Sequence, residues 1–298
     1  MAAFFILMAD ISYRFIINPI SGSKKLDKLI HLIEAEFSGV DHELCYTKYA
    51  GHATELAEDA AGSGIDVVVS AGGDGTINEV ASGIVGTSTA LGILPTGSGN
   101  GFARSLTIPL DMKSALDLLL KKNIYTIDAV RINDSHFFGV AGVGFDSIVA
   151  HAFQAFGTRG PLPYFYVGVK EYFKYNYPEI QIETENRSLL LNPLIVSIAN
   201  TSQFGNGAQI APQADFQDGL LDICIIKKLP IMKSLKSVSD LFSGKIAGNE
   251  FYETFRAKKI RILNTSTKGM YHMDGEPRLD GFELNIEILP KTLKVIRS

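Results

Sequence analysis

The run Gly72-Gly73-Asp74-Gly75-Thr76-Ile77-Asn78-Glu79 follows directly on an apolar stretch, Ile65-Asp66-Val67-Val68-Val69-Ser70-Ala71. The stretch reads as a buried strand. Thr76 and Glu79 fit a T-x-x-E capping box, which predicts a helix running to about Ser82. A strand, a glycine turn and a helix start form an arrangement that receives phosphate. Glycines let the main chain approach closely, and the helix N-terminus offers free N–H groups and positive potential. Asp74 sets a carboxylate among those donors. A carboxylate repels phosphate unless a cation or a transferable proton lies between them. The run therefore points to metal-assisted phosphoryl transfer rather than to simple anion binding.

The same alternation fills the first third of the chain. Tyr13 to Asn18 reads as a strand, and Leu26, Leu29, Ile30 and Ile33 recur at helical spacing. A strand near Glu43 to Thr47 precedes a helix marked by Ala53, Leu56, Ala57 and Ala60. Leu91 to Leu94 leads into a second glycine turn, Pro95 to Gly101, and Met112 to Leu120 is helical. Alternation of this kind predicts a parallel sheet with helices on both faces and a ligand beyond the carboxyl ends of the strands. Asn18, Thr47, Asp74 and Ser98 all fall just there, so one crevice can collect them.

After about Ile127 strand signals dominate: Thr126–Ile132, His136–Gly142, Ile180–Thr184, Leu194–Ala199, Leu220–Ile226, Lys259–Leu263 and Phe282–Ile288. Phe145 to Tyr175 reads as helix broken at Gly160-Pro161, and Ile231 to Phe242 as another helix. The expectation is an α/β domain over 1–127 and a mainly antiparallel β-sandwich over 128–298. The last residues can return to the first domain, and the active cleft lies between the two.

The formal charge of −4 leaves no basic footprint for nucleic acid. Cys45 and Cys224 sit far apart in apolar contexts and read as two buried, reduced thiols of a cytoplasmic protein. No stretch is long and apolar enough to span a bilayer. Met1 to Met8 is apolar but short, lacks a basic flank and runs at once into Asp10. It makes a poor signal peptide, and Met8 is an alternative start. The six histidines show no metal-ligand spacing.

Four further segments each have a functional and a structural reading. Asn18-Pro19-Ile20-Ser21-Gly22 precedes Lys24 and Lys25, and its serine can simply cap a helix. Gly97-Ser98-Gly99-Asn100 can wrap a nucleotide or be an ordinary turn. Ala211 to Asp222 carries Asp215, Asp218 and Asp222, an oxygen-rich loop that suits Mg²⁺ or a tight Asp-Gly turn. Asp274-Gly275-Glu276 is a hairpin tip whose carboxylates could accept a proton from a substrate hydroxyl.

Taken together, GGDGTINE, the Asn-Pro-x-Ser-Gly segment, the Ala-Pro-x-Ala to Asp-Gly-x-Leu-Asp loop and the late Asp-Gly-Glu-Pro resemble the diacylglycerol kinase catalytic-domain superfamily. That group includes bacterial diacylglycerol and YegS-type lipid kinases, with ceramide and sphingosine kinases as relatives. The resemblance covers nearly the whole chain. It implies an ATP- and Mg²⁺-dependent kinase that phosphorylates a lipid hydroxyl. It also implies that Asn18, Ser21, Gly22, Thr47, the run Gly73, Asp74, Gly75, Thr76, Ile77, Asn78 and Glu79, and Ser98 line the ATP site. The metal would be held by Asp218 with backbone oxygens of Asp215 and Leu220. Glu276, Asp274 and Asp74 are the candidates for general base, and Asp146 is the candidate contact for the lipid head. Gly97-Ser98-Gly99-Asn100-Gly101 departs from the G-T-x-N-D form of many bacterial members by replacing an acid with Gly101. This form looks like the sphingosine and ceramide kinase branch.

The aromatic-dense stretch from Phe145 to Tyr175 could line an acyl-chain groove or touch a bilayer, or be a packed helix. The expected partners are a lipid substrate, a transient peripheral contact at the inner membrane face and, through a sheet edge, a second copy of the chain. Two alternatives remain at this point: an NAD kinase, which shares the GGDG run, and a non-catalytic nucleotide-binding module.

Overall fold

The computed structural model describes residues 11–21, 26–97, 99–156, 161–205, 207–266 and 268–298. Gly22, Lys24, Lys25, Ser98 and the Met1 to Met8 segment lie outside the described residues.

The first half alternates as expected: β1 (Tyr13–Ile17), α1 (Leu26–Glu36), β2 (His42–Tyr46), α2 (His52–Gly62), β3 (Val67–Gly72), α3 (Asp74–Ile84), β4 (Ala90–Pro95), α4 (Gly101–Ser105) and α5 (Met112–Lys121). Strands β2, β1, β3 and β4 lie side by side and parallel. β1, β3 and β4 are buried along their whole length, which is why they read as unbroken apolar runs. α1 buries Leu29 and Ile33, and α2 buries Ala53, Ala57 and Ala60.

The second half holds β5 (Ile124–Ile132), β6 (Ser135–Phe137), β7 (Val140–Gly144), α6 (Phe145–Phe156), α7 (Pro161–Tyr172), β8 (Ile180–Thr184), β9 (Ser188–Leu191), β10 (Ile195–Ala199) and β11 (Leu221–Ile226). It ends with α8 (Ile231–Phe242), β12 (Tyr252–Ala257), β13 (Lys259–Asn264), β14 (Tyr271–Met273), β15 (Glu276–Arg278) and β16 (Glu283–Ile296). One sheet runs β12-β11-β10-β7-β14-β15 and is antiparallel throughout. The other strands join the sheet of the first half. β16 pairs with β13 and β5 and then, beyond a register shift between Leu289 and Leu293, lies parallel to β4. β5 runs unbroken through the expected division at 127/128.

The two sheets pack face to face through Val130, Ile132, Ile182, Ile198, Ile223, Ile262 and Ile286. Alternate residues of β5, β13 and β16 point the other way and form an exposed ion-pair ladder, including Arg131–Glu287 and Arg261–Glu283. Strict alternation of this kind marks a half-buried sheet. Helices α6 to α8 cover part of the opposite face of the antiparallel sheet, where Phe145 meets Tyr172 and Tyr175.

Three local expectations are corrected. α3 begins at Asp74 with Gly73 as its N-cap, so Thr76 and Glu79 form no capping box. His136–Gly142 is two strands, broken where Phe138 and Gly139 donate to Asp274. Cys45 is only half-buried, whereas Cys224 is buried; both are free.

Candidate active site

The two glycine turns meet back to back at the carboxyl ends of β3 and β4. A Cβ on Gly97 would lie 2.6 Å from the Gly73 Cα, so only glycine permits this approach. Around them Asn18 donates to Thr76 Oγ1 at 3.0 Å and accepts from the Ile20 N–H. The Ser21 and Thr96 hydroxyls are 3.1 Å apart. Thr47 is placed by its N–H on the Ile17 carbonyl. Asn18, Ser21, Thr47, Gly73 and Thr76 thus gather at one edge of the sheet. The Ile77 side chain is buried in the core and only borders the cleft.

Glu79 does not join them. Its carboxylate accepts the Ala53 N–H at 3.2 Å, and its carbonyl accepts from Thr54 Oγ1. It caps the first turn of α2, whose own N-cap residue is the side-chain-less Gly51. A helix start lacking a side-chain acceptor takes one from a neighbouring helix.

Asp74 lies in the cleft between the two halves with Asn78, Phe102, Gly139 and Asp274. It accepts one N–H, from Phe102, at 3.3 Å. Burial pushes its carboxyl above the ordinary aspartate value. The main-chain N–H groups of Phe102, Gly101 and Asn100 oppose the rise, and the charge of Asp274 adds to it. Gly101 has a steric reason of its own: a Cβ there would come within 2.9 Å of the Phe204 carbonyl.

Asp274 is differently placed. At φ +49° on the β14–β15 turn, it accepts from Asn78 Nδ2 (2.9 Å) and from the N–H groups of Phe138 (3.0 Å), Gly139 (2.7 Å) and Val140 (3.2 Å). Four donors fill the four lone-pair sites of a carboxylate. Asp274 is therefore removed from the base candidates: it has no free oxygen lone pair and ties α3 to the β6–β7 turn. Burial still holds its carboxyl above the ordinary value, with the donors pulling the other way. Glu276 is exposed at the end of the same turn. Its Oε1 would be 3.0 Å from a Cβ on Gly75, which sets a free carboxylate at the N-terminal turn of α3.

Asp146 is corrected as well. It is buried and receives Ser147 N–H (2.8 Å) and Ser197 Oγ (3.4 Å), and it faces His272 Nε2 at 3.1 Å. Gly142 lets this pair pack against β7. Its oxygens are taken up beneath the antiparallel sheet, so it is no head-group contact.

In the acidic loop, Asp215 accepts the Gln217 N–H and Asp218 accepts the Leu220 N–H. Arg256 pairs with Asp218 at 3.5 Å and with Asp222 at 3.2 Å. Among the described residues no three His, Cys, Asp or Glu side chains group to hold a metal. Asp218, which a metal would share with Arg256, and the main-chain carbonyls beside it offer hard oxygens. They fit a Mg²⁺ that keeps water and phosphate as its other ligands.

Asp128 was missed by sequence reasoning. It is fully buried on β5 and accepts the N–H groups of Gly219 (2.8 Å) and Lys291 (2.7 Å). It thereby anchors both the acidic loop and the irregularity of β16. The signal was present: an acid inside Ile124 to Ile132, an otherwise strand-like run.

A family described as "Diacylglycerol kinase catalytic domain" matches residues 12–132, and one described as "YegS C-terminal NAD kinase beta sandwich-like domain" matches residues 139–297. The chain belongs to the diacylglycerol kinase and YegS family of lipid kinases. A "Diacylglycerol kinase" of Bacillus subtilis is 28% identical to this kinase over 270 residues, covering 88% of the chain and 89% of the relative. A "Probable lipid kinase YegS" of Salmonella arizonae is 31% identical over 282 residues, covering 91% of each. A solved diacylglycerol kinase of Bacillus anthracis shares the fold with a TM-score of 0.73 at 22% identity, over 96% of this kinase and 97% of that chain. Among the described residues of the kinase no helix is long and apolar enough to cross a membrane.

Proposed function

We propose that the chain transfers the γ-phosphoryl group of ATP, with Mg²⁺, to the hydroxyl of a diacylglycerol or a sphingoid or ceramide-like lipid. The observation that carries this reading is the pair of carboxylates, Asp74 and Glu276, brought from different halves of the molecule to the N-terminal turn of α3.

The nucleotide phosphates rest on the N–H groups of Gly73, Gly75 and Thr76, with Asn18, Ser21, Thr47 and Asn78 bordering the nucleotide. The helix N-terminus favours their charge. Asp218, with main-chain oxygens of Asp215 and Leu220, supplies protein ligands to Mg²⁺. When bound, the metal neutralises charge on the phosphates. Glu276 takes the proton of the acceptor hydroxyl, because it keeps a free carboxylate at the rim of the cleft. Asp74, desolvated and without a cationic partner among the described residues, borders the phosphates, and the charge of Mg²⁺ would offset its repulsion of them. Asp274 holds the hairpin that carries Glu276. Phosphoryl transfer depends mainly on positioning and charge, so this set is chemically sufficient.

The test is transfer of labelled γ-phosphate from Mg·ATP to a micelle panel of diacylglycerol, monoacylglycerol, ceramide, sphinganine and phosphatidylglycerol, with NAD as a control acceptor. One labelled lipid class is expected. Label on NAD and on no lipid would replace this reading with the NAD kinase one.

A further inference from the structure

Two neighbouring helices turn apolar stripes away from the protein. On α8, Leu235, Val238 and Phe242 recur at i, i+3 and i+7 and are 63%, 36% and 58% exposed. The inward side carries the buried Ser237 together with Ser234 and Leu241. A surface helix of a globular protein ordinarily faces the other way. Tyr166 and Val169 on α7 and Phe173 in the turn just after it repeat the pattern, the last 73% exposed. The helices meet where Ser234 Oγ donates to the Tyr172 hydroxyl (3.3 Å), which donates to the Leu229 carbonyl (2.8 Å).

Charge accompanies the stripes. Lys170 on α7, Lys236 on α8, and Lys228 and Lys245 beyond the two ends of α8 are exposed, and none is in an ion pair among the described residues. They stand in a chain whose formal charge is −4. Helix α8 and the neighbouring α6 connect to the two walls of the cleft. The Leu241 carbonyl accepts the N–H of Gln209, at the end of the loop whose Gln203 and Phe204 line the cleft. On α6, His151 Nε2 lies 2.8 Å from the Arg278 carbonyl of the hairpin that carries Glu276.

We infer that the outward faces of α7 and α8 form a docking surface for an anionic lipid bilayer. Leu235, Phe242 and Phe173 enter the interface, and the lysines meet anionic headgroups, the combination by which amphipathic helices hold a membrane surface. A bilayer is favoured over a protein partner because exposed lysines beside the apolar stripes, Lys228 over the Tyr177 ring and Lys236 near Glu250 among them, complement a diffuse negative surface. The inference rests on the lipid reading of the active site only for the choice of a lipid partner, and the contact is measured without nucleotide or turnover.

The experiment is co-sedimentation of the full chain with vesicles of phosphatidylcholine, with and without phosphatidylglycerol. The wild type is expected to bind the anionic vesicles, to bind the neutral ones weakly, and to release as salt rises. The Leu235→Ser/Phe242→Ser variant should bind anionic vesicles about tenfold or more weakly. Its circular dichroism should be unchanged, because both side chains are exposed. Lys236→Glu should abolish the preference for anionic vesicles. Wild-type protein that ignores anionic vesicles, or a double variant that binds as well as the wild type, would overturn the inference. So would light scattering showing a dimer that the double variant breaks, which would assign the face to a second copy. If no lipid is labelled in the transfer assay, the kinase reading fails while vesicle binding is decided separately.

Discussion

At the residue scale the cleft separates carboxylates of one chemical type by their surroundings. Glu276 keeps a free carboxylate among the described residues, Asp74 is desolvated and faces the N–H groups of Asn100, Gly101 and Phe102, the last at 3.3 Å, and Asp274 is saturated by four donors. Glu276→Gln should lower kcat about 10²- to 10⁴-fold with little change in KM for ATP, measured by steady-state transfer. Asp74→Asn should abolish turnover and yet raise the melting temperature, because it removes an unpaired charge from a buried place. The pH dependence follows the same logic. Asp74 holds its proton to higher pH when folded than when unfolded. Its contribution to stability is therefore present below the ordinary aspartate value and is lost as pH rises through the elevated folded value. Urea midpoints across that range should fall less steeply with pH in Asp74→Asn than in the wild type; parallel slopes would remove the argument.

At the element scale the glycine turns and helix starts carry the site. Gly97→Ala should push the two turns apart, cost about 1–3 kcal/mol by denaturant titration and weaken ATP binding. Glu79→Ala should cost about 1 kcal/mol, the value of a helix cap, and leave ATP affinity unchanged. A loss of ATP affinity without a loss of stability would restore Glu79 to the nucleotide site. Wherever one periodicity ruled, the elements could be read from the sequence. β3 is apolar throughout, β8 alternates, and α8 has the expected bounds Ile231–Phe242. The edge strands β9 and β12 were not read, because strands of a few half-exposed residues carry little pattern, whereas the hairpin β14–β15 was legible from its Asp-Gly turn. The site divided in the same way. The motif residues Asn18, Ser21, Thr47, Gly73 and Thr76 gathered where the strand ends put them. Asp146, Asp274 and Glu79 have roles set by residues distant in sequence, His272, Phe138 to Val140 and Ala53, which no local motif displays.

At the scale of the whole molecule, buried polar contacts join distant parts. Asn78 reaches Asp274 and the His136 carbonyl across the cleft. Asn200 donates to the carbonyls of Asp128 and Phe138, and Asp128 holds the acidic loop and β16 together. Asp128→Ala would leave the main-chain N–H groups of Gly219 and Lys291 without their acceptor and should cost about 1–3 kcal/mol in urea unfolding, with the acidic loop loosened. A loss confined to Mg²⁺-dependent activity at unchanged stability would count against the anchoring role.

The path of β16 bears on how the protein is made. Lys294 and Val295 supply the parallel neighbour of Ala90 and Leu91, while Ile286 to Leu289 complete the pairing of β5. On the ribosome, the first half emerges with β4 as an unsatisfied edge, and it stays so until nearly every other strand has been synthesised. Contacts that distant in sequence close slowly, and an open apolar edge invites association meanwhile. Nascent chains stalled before Glu283 should therefore hold chaperones, and release should coincide with emergence of the strand that seals both halves.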